Sequence, residues 1–333
     1  MTQTAKNNPV NYKGRFARGK WPLFEAVIFD IDNVLVDTRR SYMEAIRWTI
    51  DIYLTEGNIP LFVRDLKQRN PNLLSPADIN NFKLLGGFND DWDCCYGILV
   101  YLLSLRVKKR RLSELKKIIN IKKLCERVKK RPLGVSGIVK LFGRSSPVKI
   151  EKIARIFQEV YLGKDLFKAI EKRNPVYWKK RGLIKRERLI FKKRLLEKLK
   201  AAQLQLGITT GRPYYEAMHA LRAFDIEGLF DAVTTINDVR KAEQQLKQPL
   251  RKPHPFSIIE TAKKIGNHKR FLYIGDLPDD VMAANQAKHE LNIYSVAFPT
   301  YSADPSASLA EIQKTQPDFI IQKPSDLFSI IKT

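Results

Sequence analysis

The chain is poor in the residues that usually build metal clusters and disulfide frameworks. Its 333 residues include only 4 histidines, 3 cysteines and 4 methionines. The histidines are scattered and form no metal-binding cluster in the sequence. Cys94, Cys95 and Cys125 are odd in number and lack the spacing of a zinc site, so free thiols in a reducing compartment are expected, and with them a cytoplasmic placement. No apolar run approaches the roughly 20 residues that span a bilayer, which argues against a membrane partner. Residues 1–20 are polar and basic, lack the apolar stretch of a secretory signal, and are expected to form a flexible tail. There is no P-loop, no dinucleotide fingerprint and no internal repeat. Acidic residues are also in deficit, 35 against 60 Lys and Arg, for a formal charge of +25.

What is present begins at Phe24–Thr38, FEAVIFDIDNVLVDT. Ala26-Val27-Ile28-Phe29 is a short apolar run of the kind that forms a buried strand, and it breaks at Asp30-Ile31-Asp32-Asn33. Standing alone, two carboxylates separated by one apolar residue fit a turn as well as a site. From about Ser41 to Arg181 the periodicity is helical. Ser41-Tyr42-Met43-Glu44 has the form of a capping box, leading a helix with Ile46, Ile50 and Tyr53 on one face and an end near Gly57. Ser75-Pro76-Ala77-Asp78 opens another that closes at Gly86-Gly87, and a loop to Asp91 leads into an apolar helix carrying Trp92, Cys95, Tyr96, Leu99 and Leu103. Leu112, Leu115, Ile119 and Val128 predict one amphipathic helix through the basic segment that follows. Pro132–Pro147, with three glycines, reads as a loop. Ile153, Ile156, Phe157, Val160 and Tyr161 resume helical spacing, which stops at Gly163.

From Leu189 the texture changes. Helices alternate with short apolar runs at Leu204–Thr209, Ala232–Thr235, Phe271–Ile274, Ile293–Ala297 and Phe319–Ile321. Together with the opening run these imply an α/β fold, a doubly wound Rossmann-like parallel sheet, interrupted after its first strand by an all-helical insertion. The expected boundaries are a core of 21–40 and 186–333, and an inserted domain of 41–185 with a long basic insertion at about 106–147.

Ligands of such sheets sit beyond the carboxyl ends of the strands. Four clusters fall there in order: Asp30 and Asp32; Thr210-Gly211-Arg212; Lys252-Pro253-His254-Pro255, on the approach to the helix before the Phe271 strand; and Gly275-Asp276-Leu277-Pro278-Asp279-Asp280. This ordered set resembles the haloacid dehalogenase superfamily of phosphatases, and the insertion point matches that family's C1-type helical cap. Gly86–Asp93 together with Thr210-Gly211-Arg212-Pro213 is similar to a little-characterised subgroup. The basic segment makes the cap long for its type.

The resemblance implies a phosphoryl-transfer centre. Asp30 would be the nucleophile that forms an aspartyl-phosphate, and Asp32 the general acid and base. Thr210 would bond a phosphoryl oxygen, with Thr209 as its one-residue alternative, and Lys252 would neutralise charge. Mg²⁺ would be held by Asp30, Asp276 and the Asp32 carbonyl, with Asp280, ahead of Asp279, acting through water or by orienting Lys252. Gly211, Arg212, Arg39 and Trp92 are substrate-binding candidates by position, as are Asn89 and Asp90. His254 is expected to shape its loop. The function implied is a Mg²⁺-dependent phosphatase of a small phosphorylated metabolite such as a sugar phosphate or a phosphoglycolate-like compound. A phosphomutase of the β-phosphoglucomutase kind shares the same motifs.

Charge suggests a different class. Arg106–Arg131 carries 13 bases against 2 acids, and Lys179–Lys200 carries 11 against 2. Such fields attract polyanions, so nucleic-acid binding, or phosphatase action on nucleic-acid ends, is the competing expectation. The lack of interleaved aromatics for base stacking speaks against it, as does an assignment of most of Lys179–Lys200 to the helix before the second core strand.

Overall fold

A computed structural model of the chain describes residues 24–331 apart from 58–59, 67–70, 72, 89, 129–132, 144–146, 267–268 and 303. The chain divides into two compact units, one running to Asp37 and resuming at Arg188, the other spanning Thr38–Glu187.

Among the described residues the first unit contains eight strands: β1 (Ala26–Phe29), β2 (Val36–Asp37), β3 (Arg188–Leu189), β4 (Gln205–Thr209), β5 (Ala232–Thr234), β6 (Arg270–Gly275), β7 (Asn292–Ala297) and β8 (Phe319–Ile320). Six form one parallel sheet in the order β5-β4-β1-β6-β7-β8. β1 lies inside it, with Ala26 opposite Gln205 on one side and Phe271 on the other. The strands read as continuous apolar runs because both faces are covered. Val27 and Phe29 pack with Leu206, Ile208, Leu272 and Ile274 beneath the helices Lys193–Ala201 and Tyr214–Ala223. The alternate residues Ala26 and Ile28 pack with Phe271 and Tyr273 against the helices Phe256–Ile265 and Pro278–Ala287. The chain leaves β1 for β4 and β5 on one side, then returns to β6, β7 and β8 on the other. That reversal opens a crevice at the carboxyl ends of β1, β4 and β6.

The antiparallel pair β2–β3 was not expected from the sequence. It brackets the insertion, pairing Asp37 with Arg188.

The second unit is helical: Tyr42–Thr55, Pro76–Lys83, Asp91–Ser104, Leu112–Ile118, Ile121–Arg127, Gly134–Phe142 and Ile150–Glu171. Among its described residues β-pairing is limited to the isolated bridges Val63–Arg111 and Gly163–Arg181. Four local expectations are corrected. Ser41 makes no capping box. Its hydroxyl lies instead within hydrogen-bond distance of the Thr38 carbonyl (3.1 Å) and the Glu187 carboxylate (2.9 Å), while Glu44 pairs with Arg47. The basic segment is two short helices, because the Asn120 side chain accepts the Lys123 N–H and starts a new one. Pro132–Pro147 contains the helix Gly134–Phe142, which buries Ile138. In the Lys179–Lys200 run only residues from Lys193 enter the helix before β4; the rest is irregular chain around a 3₁₀ turn, Leu183–Arg186, and β3.

The helix Ile150–Glu171 is broken at Gly163, whose backbone (φ +75°, ψ 173°) is not helical. A Cβ there would stand 2.0 Å from the Gly182 nitrogen, so only glycine permits the approach. One turn before it, the buried Glu159 accepts the backbone N–H groups of Val176, Tyr177 and Trp178 at 2.8, 2.6 and 3.0 Å, and the Arg155 Nε–H at 2.9 Å, fixing the segment after the helix.

Candidate active site

At the end of β1 the chain turns sharply. Asp30 N–H donates to the Ile274 carbonyl of the neighbouring β6 (2.9 Å), and the Asp30 Oδ2 accepts the N–H of Asp32 (3.1 Å). Asn33 sits in the left-handed region at φ +56°, which Asn tolerates better than most residues. Its N–H reaches the Val36 carbonyl at 2.7 Å, and its side-chain amide donates to the Asp276 Oδ2 at 3.2 Å. The loop therefore connects β1 to the end of β6.

Lys252 links two acids. Its Nζ lies 2.9 Å from the Asp30 Oδ1 and 2.8 Å from the Asp280 Oδ1. Asp280 is in turn held by the Tyr273 hydroxyl at 2.7 Å and by the Leu277 N–H at 3.0 Å. Gly275 makes this packing fit: a Cβ on it would come within 2.2 Å of the Asp280 Cβ. Both carboxylate oxygens of Asp280 thus face protein donors, which suits an orienter of Lys252. Asp279, on the first turn of the same helix, is half-buried.

The third participant comes from the loop after β4. The strand ends at Thr209, so Thr210 is the first residue beyond it, and its Oγ1 accepts the Arg212 N–H (3.1 Å). Thr209 is fully buried and its hydroxyl has no hydrogen-bond partner. Gly211 is exposed, with open space where a Cβ would stand. Arg212 points inward. Its side chain is buried, and its Nε and Nη2 both donate to the Asp32 Oδ1, at 2.9 and 2.7 Å.

The electrostatics follow from this crowding. Burial, with the charges of Asp280 and Asp32 adding to it and Lys252 opposing, pushes the Asp30 carboxyl up to about 7. Burial, then the Asp280 and Asp30 charges, hold Asp276 well above the usual carboxylate range. For Lys252 burial opposes the charge, but Asp280 and Asp30 outweigh it and hold the ammonium well above the ordinary lysine value. Four carboxyl groups (Asp30, Asp32, Asp276, Asp280) meet two cations (Lys252, Arg212), so full ionisation of all four calls for a further positive charge. Among the described residues no set of three His, Cys, Asp or Glu side chains forms a metal cluster. Asp30 and Asp276 are a two-carboxyl, oxygen-only donor set in this acid-rich cluster, and this chemistry fits a hard divalent cation.

The remaining sequence candidates lie elsewhere. Arg39 is exposed and belongs to the helical unit, as does Trp92, which is half-buried against that unit's core. Asp90 caps the helix Asp91–Ser104 by accepting the Trp92 N–H (2.8 Å). Asn89 lies outside the described residues. The His254 Nδ1 accepts the Phe256 N–H (3.2 Å) within its own loop. Sequence reasoning missed Asn33 and Tyr273. Their signals were faint: an asparagine at a turn, and one hydroxyl in an otherwise apolar strand.

A family model described as haloacid dehalogenase-like hydrolase matches residues 24–288. The chain is similar to the protein named pyrophosphatase PpaX of Caldanaerobacter subterraneus subsp. tengcongensis, 24% identical over 201 residues, covering 60% of this chain and 80% of the relative. Among solved structures it resembles the phosphatase Tt82 of Thermococcus thioreducens (TM-score 0.56, 23% identity, 81% and 91% of the two chains). It also resembles a Haemophilus somnus protein described as a phosphoglycolate phosphatase (TM-score 0.51, 19% identity, 92% and 97%).

Proposed function

The chain belongs to the haloacid dehalogenase-like hydrolases, and from that premise we propose that it is a Mg²⁺-dependent phosphatase of a small phosphorylated metabolite. The observation that carries the reading is Lys252, whose ammonium bridges Asp30 and Asp280 at 2.9 and 2.8 Å in a cluster where carboxyl groups outnumber cations. An anionic nucleophile meets an anionic phosphate only where cations offset their repulsion.

In this reading the Asp30 carboxylate attacks phosphorus and the bond from phosphorus to the leaving oxygen breaks. Asp32 gives its proton to that oxygen, releasing the alcohol. Water then attacks the aspartyl-phosphate and passes a proton to Asp32, so inorganic phosphate leaves and both acids are restored. Thr210 and the exposed Gly211 backbone are assigned to the phosphoryl oxygens. Asp30, Asp276 and the Asp32 carbonyl would hold Mg²⁺, which supplies charge neutralisation at the phosphoryl group. Asp280 and Tyr273 keep Lys252 aimed. Cys94, Cys95 and Cys125 are free thiols, and a cytoplasmic setting is part of the proposal.

The test is phosphate release from a panel of phosphorylated metabolites in Mg²⁺, with no sugar bisphosphate added. Release from at least one member is expected, and it is abolished when the cation is chelated. Turnover that requires a bisphosphate activator would make the enzyme a mutase instead.

A further inference from the structure

The proposed acid–base residue is gripped in an unequal way. Arg212 directs both Nε and Nη2 to one oxygen of Asp32, Oδ1, at 2.9 and 2.7 Å. Among the described residues the other oxygen, Oδ2, has no hydrogen-bond partner, and the Asp32 side chain is 30% exposed while that of Arg212 is wholly buried. Arg212 is itself fixed from its backbone. Its N–H donates to the Thr210 Oγ1 and its carbonyl accepts the Ile236 N–H (3.2 Å), so the guanidinium starts from a tethered base.

A residue that binds substrate phosphate would be expected to offer its guanidinium to the cavity. Arg212 offers it to Asp32. We propose that Arg212 is a positioning residue that clamps Asp32 by Oδ1 and so assigns proton transfer to Oδ2, a role that rests on the phosphatase reading above. The one-oxygen grip suits the reaction's proton cycle. When Asp32 carries its proton on Oδ2, Oδ1 is the carbonyl oxygen and still accepts from Arg212. When that proton passes to the leaving oxygen, Oδ1 belongs to the carboxylate and accepts as before. The clamp therefore persists through both half-reactions, and Asp32 does not have to find its rotamer again at each turnover. A two-oxygen fork, the commoner arrangement for arginine with a carboxylate, would occupy the atom that must exchange the proton.

The experiment compares leaving groups in Mg²⁺, using kcat/KM because it reports the step in which the leaving oxygen departs. p-Nitrophenyl phosphate leaves readily without a proton; glycerol 2-phosphate needs one. The variants are Arg212→Met, which keeps length and loses the donors, Arg212→Lys, Asp32→Asn, and the double variant. Arg212→Met is expected to lower kcat/KM for glycerol 2-phosphate by about 10²-fold, within the range of general acid catalysis, and for p-nitrophenyl phosphate by less than about fivefold. The loss in the double variant should equal that of Asp32→Asn alone. Lys restores a charge without the paired donors and should recover only part of the loss. A crystal structure of Arg212→Met should show the Asp32 side chain in more than one rotamer, a readout that needs neither substrate nor metal. Equal losses on both substrates, additivity with Asp32→Asn, full recovery with Lys, or a single unchanged Asp32 rotamer would each overturn the clamp while leaving the phosphatase reading intact. If Asp32→Asn itself spares glycerol 2-phosphate, the acid–base assignment fails and the clamp falls with it.

Discussion

At the scale of single residues the site is a set of carboxylates held closer together than their charges favour. Asp30 shows the consequence most clearly. Its carboxyl, raised by burial to about 7, binds a proton more tightly in the folded protein than in the unfolded chain. Its contribution to stability is therefore fully present below about pH 4, the unfolded value, and is lost as pH rises through about 7. The cation-free protein should thus melt at progressively lower temperature over that window. Asp30→Asn should flatten the dependence, and calorimetry at pH 8 should find the variant more stable than the wild type without Mg²⁺ and less responsive to its addition. Wild-type and variant melting curves that coincide across the range would contradict this. Tyr273 tests the support of Lys252 instead. Tyr273→Phe removes the 2.7 Å hydrogen bond to Asp280 and should cost about 1 kcal/mol of stability with a modest drop in kcat. Asp30, Asp32 and Asp276 stood out in the sequence because they follow strand ends, whereas Lys252, in a loop between two helices, stood out only through the order of the four clusters. The part played by Arg212 was not legible, since position alone could not say whether its guanidinium met a substrate or another side chain.

At the scale of elements, legibility followed burial. β1, β4, β6 and β7 are covered on both faces, so their sequences run largely apolar and their positions are legible to within a residue or two. β2 and β3 are two residues each and carry no such signal. The helix Gly134–Phe142 was hidden by its glycines, one of which has a packing reason: a Cβ on Gly137 would come within 2.5 Å of the Leu133 side chain. Likewise the basic segment kept helical spacing on both sides of Asn120, and periodicity could not register the cap that divides it. Gly163 is the element-scale position most sensitive to change. Gly163→Ala places a Cβ against the Gly182 backbone at a φ of +75° and should destabilise the helical unit by about 3 kcal/mol or more, measurable by urea denaturation. A loss below about 1 kcal/mol would show that the two segments can part freely.

At the scale of the whole molecule the charge of +25 is its most visible property and the one least tied to the site. Neither basic run is a single helix. Arg106–Arg131 contains no aromatic residue, and Phe191, the one aromatic in Lys179–Lys200, is buried. Phosphates can be met there by lysine and arginine, but bases find nothing exposed to stack on. Oligonucleotide is therefore expected to bind at low ionic strength and to be lost by about 150 mM salt in a filter-retention assay, given the steep salt dependence of purely phosphate contacts. Retention at that salt would point to a nucleic-acid function for the helical unit. No helix among the described residues is long and apolar enough to cross a membrane. What organises the first unit is the end of β1, where the Asp30-Ile31-Asp32 turn meets Lys252 from the loop before the helix Phe256–Ile265 and Asp276 from the end of β6. The most direct test of that centre is the hydrolysis of p-nitrophenyl phosphate in Mg²⁺ by Asp30→Asn, with circular dichroism to show that the fold is kept. Turnover is expected to fall to the uncatalysed background. An Asp30→Asn protein that is folded and turns over at the wild-type rate would contradict Asp30 as the nucleophile.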